Sequence, residues 1–524
     1  MKRICMICYI ASGLILSGAL FFEVFAQVPK NLDNYIETVR HTFEVPGISV
    51  AIVKDGQIVL AKGYGIRKLG EPAHVDEQTL FGIASNTKAF TATALALLVE
   101  ESKIGWDEPV RRYLPWFQLA DPYITHELTV RDLLVHRSGL PLGAGDLLWW
   151  PPSTYHRKEI AERLQYVPLK TSFRSAYAYD NVLYIVAGEL IEAVTGKSWE
   201  DFVTERILDK IGMTDSNVRQ SLATVGGNVA IPHAALDGVV RPVNPFASDN
   251  TNPAGGINAS ARDMAKWMIV QLDSGRLSKD IRLFSPRTTR QLWGLVTPMP
   301  TGEPPPSLIA ARSQFNGYAL GFGLRDYRGR KIVSHTGGLP GYVSQVTLLP
   351  ELKLGIVVLT NQEETFAFMA VTHHILDSYL KVSDTDWLAA LKTENQKRKE
   401  RQAKADQETI AKRDSTAGPS LPLQSYAGTY TDAWYGDIVI DSDEKGGLKL
   451  RFTKTPVLVG TMTHWHYDTF VVRWHDRELR ADAFVTFSLN PDGTIEQAKM
   501  KAVSPATDFS FDFHDLLLKP GHPK

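Results

Sequence analysis

The sequence predicts an α/β fold of the α+β type, in which helices flank an antiparallel sheet and form a helical subdomain, followed by a small all-β barrel. Two apolar strands near the start flank a turn, helical patterns dominate from about residue 129 to 270, and alternating strands return at residues 344–361. Strands on both sides of a helical block are expected to share one sheet. Beyond residue 421, short alternating strands separated by Gly, Asp and Asn are typical of a barrel.

Two elements of the first domain carry strong local signals. The stretch "GISVAIVKDGQIVLAKGYG" (47–65) predicts two strands joined at Asp55-Gly56, a dipeptide that favours a tight hairpin turn. Residues 90–101 are apolar almost all round, which predicts a helix buried inside a large domain.

The chain has 524 residues, more than one compact core usually holds, so we expect several domains. The predicted divisions are a signal peptide (1–26), a main domain (27–385), a charged helical linker (386–420) and a barrel (421–524). In the linker, acids precede bases by four positions, the favourable order on a solvated helix, at Glu394/Arg398, Glu400/Lys404 and Glu408/Lys412. Because the two signs are interleaved, a nucleic-acid-binding arm is not expected.

The first 26 residues have the pattern of a cleavable leader. Lys2 and Arg3 precede an apolar run (10–22), and Val24-Phe25-Ala26 offers small side chains where a signal peptidase cuts. The pattern predicts a periplasmic or secreted protein with no stable membrane anchor after cleavage. An uncleaved anchor helix is the alternative, although the run is short for spanning a bilayer.

Composition narrows the function classes. The net charge of -1 gives no basic surface for nucleic acid. Both cysteines, Cys5 and Cys8, lie within the leader, without the Leu-small-small pattern of a lipoprotein. The mature chain is therefore expected to have no disulfide, no thiol nucleophile and no thiolate metal site.

A Ser-x-x-Lys pair can supply a nucleophile and its base when both lie on the first turn of a helix. The pattern occurs three times, at Ser85/Lys88, Ser378/Lys381 and Ser442/Lys445. Chance gives about one or two matches in such a chain. Ser85 alone precedes a buried helix, whose N-terminal N–H groups would favour an oxyanion beside the serine. A polar loop before an ordinary core helix is the alternative.

A second motif, Tyr179-x-Asn181, stands directly before a helical run that ends at Gly196. A tyrosine among cations can act as a base, and an Asn amide can orient a substrate carbonyl or a lysine. A core tyrosine and a helix-capping asparagine explain the same residues.

A third motif, His335-Thr336-Gly337-Gly338, ends a predicted strand. Its glycines would let a substrate lie against the strand edge and bond to its backbone. A structural histidine at the end of an ordinary strand is the alternative.

Together the three motifs, in this order over residues 30–380, resemble the class C β-lactamase and DD-peptidase superfamily of active-site serine enzymes. The flanking stretches "LTVRDLLVHRSGLP" (128–141) and "NPAGGINASARDMAKWM" (252–268) also look like that family, and the C-terminal barrel resembles an appended lipocalin-like domain.

The resemblance implies a role for each motif residue. Ser85 would be the acylated nucleophile and Lys88 its hydrogen-bonded partner, with Tyr179 as general base and proton donor. Asn181, Thr336 and Gly337 would contact the substrate, and His335 stands where the family places Lys or His. The N–H groups of Ser85 and Gly338 would form the oxyanion hole. No metal or organic cofactor is implied.

Two departures bear on the substrate. Asp180 occupies the middle of Tyr-x-Asn, where the family usually has a small residue or serine, and His335 replaces the lysine of penicillin-hydrolysing relatives. An added acid and a histidine weaken the match to a carboxylate-bearing β-lactam, unless Asp180 points to solvent. Elsewhere, Trp149 and Trp150 form either a substrate wall or ordinary packing.

The leading hypothesis is an exported serine hydrolase that acts through an acyl-enzyme on a small amide, peptide or ester. Alternatives are a β-lactamase or penicillin-binding D,D-carboxypeptidase, and an acylated binder or sensor without turnover. The partner would be a small molecule or short peptide, and the barrel could cap the cleft or mediate homo-oligomers. His464 and His466 are expected to be structural, because no third metal ligand is near.

Overall fold

A computed structural model describes residues 27–222, 227–442 and 446–521 of the protein. The predicted leader and Lys445 lie outside these residues. In the described part of the chain, no helix is long and apolar enough to cross a membrane.

The first domain is built on an antiparallel sheet to which both ends of the domain contribute. Its strands run in the order β2-β1-β12-β11-β10-β9-β8-β7, and two short pairs, β3 with β6 and β4 with β5, lie outside it. The bounds are β1 (Gly47–Lys54), β2 (Gln57–Gly65), β3 (Phe81–Gly82), β4 (His233–Leu236), β5 (Val239–Pro242), β6 (Asn258–Ala259), β7 (Thr297–Met299), β8 (Asn316–Tyr318), β9 (Gly323–Tyr327), β10 (Arg330–Leu339), β11 (Tyr342–Leu349) and β12 (Leu354–Thr360).

The pairing of β1 with β12 confirms the predicted shared sheet, since Val50 lies opposite Val358. The predicted hairpin between β1 and β2 is also present. Asp55 and Gly56 both have positive φ, 51° and 78°, as a tight turn between twisted strands requires.

Helices cover both faces of the sheet and fill the block between its two halves. Their bounds are α1 (Leu32–Thr42), α2 (Thr87–Glu100), α3 (Pro122–Glu127), α4 (Arg157–Arg163), α5 (Val182–Thr195), α6 (Trp199–Val203), α7 (Asp209–Ile211), α8 (Asn252–Gly255), α9 (Ala261–Leu272), α10 (Pro286–Leu292), α11 (Thr365–Leu380) and α12 (Trp387–Ala411). Alternate residues of β1 point to opposite faces: Ala51 and Val53 belong to the core that contains α2 and α9, whereas Val50 and Ile52 belong to the core that contains α1 and α11.

Helix α2 is the buried helix that the sequence predicts. Its side chains from Thr87 to Leu98 are buried, Lys88 among them. A helix apolar all round needs packing on every side, and α5, α6, α8 and α10 provide it. The nucleophile motif is thereby fixed to the centre of the domain.

The C-terminal part is a nearly closed antiparallel barrel, as predicted. The order is β19-β18-β17-β16-β15-β14-β13-β20, and a bridge between Ala498 and Leu518 joins the two ends. Aromatic side chains such as Phe452, Trp474 and Phe513 pack together inside it. The strands are β13 (Gly428–Asp432), β14 (Gly436–Ser442), β15 (Leu448–Phe452), β16 (Val459–His466), β17 (Thr469–Trp474), β18 (Ala483–Leu489), β19 (Ile495–Ala502) and β20 (Lys519–Pro520).

The charged segment forms α12, but it is less solvated than predicted. Trp387 and Leu391 are buried, which anchors the start of the helix in the first domain. The expected pair Glu394/Arg398 does not form: Glu394 accepts from Lys397 (2.9 Å), while Arg398 donates to Glu364 (2.8 Å). Glu394 therefore pairs with a different base of the same helix, and Arg398 is drawn to the first domain.

The barrel docks directly onto the first domain. The Thr154 N–H donates to the Lys454 carbonyl (2.8 Å), and Arg163 Nη1 donates to the Trp434 carbonyl (2.9 Å). Arg480 forms a two-pronged ion pair with Glu363, at 2.6 and 2.7 Å. These contacts bring the segment between β19 and β20 against the first domain.

Candidate active site

Ser85 lies in a single 3₁₀ turn (Ala84–Asn86) that leads straight into α2. Ala84 before it has φ of 50°, a left-handed conformation that residues other than glycine adopt only where packing holds it. The turn is tied to β11, because Ser344 Oγ donates to the Ile83 carbonyl and accepts from Asn86 Nδ2, both at 2.8 Å. Ser85 itself is half-buried and faces a cleft.

Lys88 is the group that contacts the serine. Its Nζ donates to Ser85 Oγ (3.0 Å), to Asn181 Oδ1 (2.7 Å) and to the Ala254 carbonyl (3.0 Å). All three acceptors are uncharged oxygens, so no carboxylate is in direct contact with the lysine. Burial therefore lowers the pKa of Lys88 to about 7, although the charges of Asp146 and Asp180 oppose the shift.

The tyrosine of the second motif lies beside this pair. Lys88 Nζ is 4.9 Å from the centre of the Tyr179 ring. Burial raises the pKa of Tyr179 well above its ordinary value, and the nearby Ser85 hydroxyl opposes that shift. The phenol is therefore protonated at neutral pH. His136, which is buried, packs its ring 4.3 Å from that of Tyr179 and supports it from behind.

Asp180 does not face the cleft and does not point to solvent, so both sequence interpretations of it are wrong. It is fully buried, with Oδ1 accepting the Leu183 N–H (3.3 Å) at the start of α5. Its Oδ2 is 3.6 Å from His136 Nδ1, and its own N–H donates to that nitrogen (3.2 Å). Tyr179 and Asn181 line the cleft, whereas Asp180 between them faces away from it.

Asn181 links the lysine to a buried carboxylate. Its Nδ2 donates to Asp146 Oδ2 (2.9 Å), which also accepts from Ser510 Oγ (2.8 Å). Trp149 Nε1 donates to Asp146 Oδ1 (2.9 Å). Burial raises the pKa of Asp146 to about 7, and these hydrogen bonds and the Lys88 charge act against the shift.

The third motif forms the cleft-side end of β10. His335 Nε2 is 2.7 Å from Tyr318 Oη, and its Nδ1 is 2.6 Å from the Thr336 carbonyl, an acceptor that requires the proton on Nδ1. Burial lowers the pKa of His335 well below its ordinary value, and Lys88 adds to the effect. His335, Thr336 and Gly338 line the cleft.

Gly337 has a packing role, and its contact with the substrate stays a prediction. A Cβ there would lie 2.2 Å from the Ile83 carbonyl oxygen and 3.0 Å from the Ala84 Cβ. Glycine is therefore needed where β10 packs against the serine turn, on the side away from the cleft. Gly338, in contrast, has open space around it.

The cleft in front of Ser85 has a volume of about 430 Å³. Trp149 and Trp150 line it and are also packed, Trp150 against Phe246 at 4.8 Å, so the packing interpretation is confirmed and the substrate wall stays a prediction. Tyr177 and Tyr318 add to the aromatic wall. The opening is thus shaped for a ligand with apolar surface.

The barrel completes the cleft. Asp508, Phe509 and Ser510, from the segment after β19, line it together with Ser85. The Phe509 ring meets that of Tyr179 edge to face at 6.1 Å. Two residues on, Asp512 accepts the N–H groups of Gly145 (2.7 Å) and Leu147 (3.1 Å), which fixes the turn that carries Asp146.

The sequence motifs miss three parts of this site. His136 lies within the stretch quoted as family-like, and Asp146 precedes the two tryptophans, so local signals mark their neighbourhoods. The segment 508–510 has no such signal.

Among the described residues, no cluster of three or more His, Cys, Asp or Glu side chains could hold a metal. His464 Nε2 contacts the Tyr467 carbonyl (2.7 Å), and His466 Nδ1 accepts the Asp414 N–H (3.3 Å). Both imidazoles have structural partners.

Comparison with known proteins agrees with this geometry. The β-lactamase family matches residues 32–380, and a domain of unknown function (DUF3471) matches residues 412–520. Unguisins hydrolase ungD' of Aspergillus campestris is 30% identical over 486 residues, which cover 88% of each chain.

Two solved structures share the fold. A penicillin-binding protein homologue from Pyrococcus abyssi, described as octameric, has a TM-score of 0.59 and 22% identity over 93% of this chain and 99% of its own. A D-amino acid amidase from Ochrobactrum anthropi has a TM-score of 0.54 and 23% identity over 67% and 99%. Because the family match spans more than half of the chain and a relative at 30% identity covers most of it, this chain belongs to the β-lactamase family of serine hydrolases.

Proposed function

We propose that this protein hydrolyses an amide or peptide bond through an acyl-enzyme on Ser85. The observation that carries the proposal is the contact between Ser85 Oγ and Lys88 Nζ at 3.0 Å, with the lysine fully buried. A lysine whose pKa is about 7 is neutral in a large fraction of molecules at neutral pH, which a general base requires.

In acylation, neutral Lys88 takes the Ser85 proton as Oγ attacks the carbonyl carbon. The N–H groups of Ser85 and Gly338 hold the resulting oxyanion. Tyr179 gives its proton to the leaving nitrogen, and the Lys88 ammonium returns a proton to the phenolate. In deacylation, water attacks the acyl-enzyme carbonyl while Lys88 takes its proton, and Ser85 Oγ leaves and regains a proton. This scheme keeps Tyr179 as the proton donor but gives the role of base to Lys88, because the phenol is held protonated.

The cleft supports an amidase or peptidase over a β-lactamase or D,D-carboxypeptidase. Both of those reactions use substrates with a carboxylate, which a cation binds best. His335 occupies the expected position of that cation but is neutral. The similarity to a protein named unguisins hydrolase supports hydrolysis as the reaction. Esters, which need less help in leaving, are expected to react as well.

Labelling with a fluorophosphonate probe tests the proposal. The wild type is expected to be modified on Ser85, as located by peptide mass spectrometry, and Ser85→Ala is expected not to react. Ser420→Ala, an exposed serine of the linker, is the matched control and should label normally. Modification that persists in Ser85→Ala contradicts the assignment.

Burst kinetics separate a hydrolase from an acylated binder. A hydrolase releases product beyond one equivalent per enzyme, whereas a binder stops after the first equivalent. Nitrocefin turnover comparable to that of dedicated β-lactamases, between pH 6 and 8, would contradict the preference for other amides.

We also propose export through the N-terminal leader. The support is the pattern of basic, apolar and small residues over residues 1–26. Expression of the full chain in a Gram-negative host, with fractionation and N-terminal sequencing, is expected to give a periplasmic protein that starts near residue 27. An intact N-terminus in the membrane fraction would support the anchor alternative.

A further inference from the structure

Few charged side chains line the cleft in front of Ser85. Among the described residues that line it, Asp508 is the one side chain with a formal charge at neutral pH, and none is Lys or Arg. His335 is neutral, and Lys88 lies beneath Ser85, fully buried. A ligand in the cleft therefore meets one exposed charge, and that charge is negative.

Asp508 is held in place but not neutralised. Its Oδ1 accepts the Ser510 N–H (2.9 Å), and its carbonyl accepts the Phe511 N–H (3.0 Å). Ser510 is itself bound to Asp146. No ion pair to Asp508 forms within the described residues, and the side chain is exposed to the cleft. A fixed carboxylate without a cation is a preorganised partner for a cationic ligand.

The groups around Asp508 make its negative charge less favourable in the absence of a bound cation. Although Asp508 reaches the cleft, the protein around it removes part of its hydration and so raises its pKa, and the charge of Glu363 adds to the shift. Arg480 opposes it, but its guanidinium is committed to both oxygens of Glu363 at 2.6 and 2.7 Å. A protonated amine beside Asp508 would reverse the shift and gain a charge-assisted hydrogen bond.

We propose that the substrate carries a free protonated amine that pairs with Asp508 while its scissile carbonyl lies at Ser85, as in an amino acid amide or the N-terminal residue of a peptide. The aromatic wall of Trp149, Trp150 and Phe509 suits an apolar side chain on that residue. This inference rests on the proposed hydrolase function, which it makes more specific. The specificity-determining residue is thus supplied by the barrel.

Binding to Ser85→Ala tests the inference without turnover. Calorimetry with D- and L-phenylalanine amide is expected to show that at least one enantiomer binds, and that its N-acetyl derivative binds more weakly on the order of tenfold or more. Adding Asp508→Asn is expected to remove this difference, whereas Glu496→Gln, the same charge change on an exposed barrel strand, keeps it. Equal binding of the amine and its acetylated form, or no binding of either, overturns the inference.

Kinetics with phenylalanine p-nitroanilide, free or acetylated, give the second arm. Asp508→Asn is expected to lower kcat/KM for the free amine on the order of tenfold or more and to change the acetylated substrate little. An equal loss for both substrates means that Asp508 supports the loop only, and overturns the inference. If the amine binds Asp508-dependently but Ser85 is neither labelled nor needed for turnover, the hydrolase proposal fails and amine recognition stands.

Discussion

Ser510 Oγ donates a 2.8 Å hydrogen bond to Asp146 Oδ2, joining the barrel to the buried carboxylate behind the catalytic cleft across 364 positions of the chain. The same oxygen accepts from Asn181 Nδ2, and Asn181 Oδ1 accepts from Lys88. A barrel residue is therefore three hydrogen bonds from Lys88, the proposed base. Ser510 is a positioning residue, since it acts on Lys88 through Asp146 and Asn181.

Ser510→Ala tests this connection. Loss of a donor makes the Asp146 carboxylate harder to ionise, so less negative charge stabilises the Lys88 ammonium. The acid limb of kcat/KM is expected to move to lower pH, and kcat to fall about threefold to tenfold, as expected for the loss of one ordinary hydrogen bond. Ser488→Ala, on an exposed face of β18, should change neither. A lower stability with an unchanged pH profile would indicate a structural role alone.

Asp146→Asn tests directly how the charge of Asp146 affects the pKa of Lys88. The Asp146 charge raises the pKa of Lys88 against the effect of burial, so removing it lowers that pKa below about 7. Because the neutral lysine is the active form, the acid limb should shift to lower pH, further than in Ser510→Ala. The pH dependence of kcat/KM between pH 5 and 9 measures it. A shift to higher pH would contradict Lys88 as the base.

His335→Lys is expected to increase reactivity towards β-lactams. It places a permanent cation where the wild type has a neutral ring bonded to Tyr318. Stopped-flow measurements are expected to show acylation by nitrocefin rising on the order of tenfold, the gain of one charge-assisted contact to a carboxylate. His335→Gln, which is neutral, should show no rise. Equal rates in the two variants would mean that the charge of this position does not set β-lactam reactivity.

Asp132→Asn should destabilise the first domain. Buried Asp132 accepts from Arg137 Nε (2.9 Å) and Arg174 Nη2 (2.5 Å). These bonds hold together the two segments that lead to His136 and Tyr179. Breaking such a pair costs about 3 kcal/mol of the free energy of unfolding. Denaturant unfolding at pH 7 measures this loss.

The pH dependence of that loss has a defined sign. Burial raises the pKa of Asp132, but hydrogen bonds from Arg174 and Thr129 outweigh it, so the pKa is lowered overall. A lowered carboxyl pKa stabilises the fold above about pH 4 and loses that contribution as the pH falls through the folded-state pKa. The difference between the two proteins should therefore shrink between pH 5 and pH 3. Asp107→Asn, in an exposed pair with Arg131, should cost under about 1 kcal/mol.

The predictable part of the site follows from local geometry. Ser85 and Lys88 share a helix turn, so their contact needs only that helix. The shared sheet then brings β10 to the serine turn. The orientation of Asp180 is not predictable in the same way, because Asn181 already has helical backbone angles and the alternation of a strand does not apply.

The remainder depends on tertiary contacts that no local pattern encodes. Arg398 bonds to Glu364 and not to Glu394 because α12 packs on the first domain, which the spacing of charges along the helix does not reveal. The approach of Asp508 and Ser510 to Ser85 requires the docking of the whole barrel. Their sequence, with no motif, is informative only once that docking is known.

Because residues 508–510 line the cleft, the groups proposed to select the substrate and the groups proposed to cleave the bond are encoded in different parts of the gene. The proposed reacting groups are encoded in the first domain. The Asp508 carboxylate and the Phe509 ring, which line the cleft, are encoded in the barrel. We expect substitutions at Asp508 and Phe509 to change the preferred substrate while the serine, the lysine and the tyrosine stay untouched. Exchange of barrels between related hydrolases would be a direct evolutionary route to new specificities.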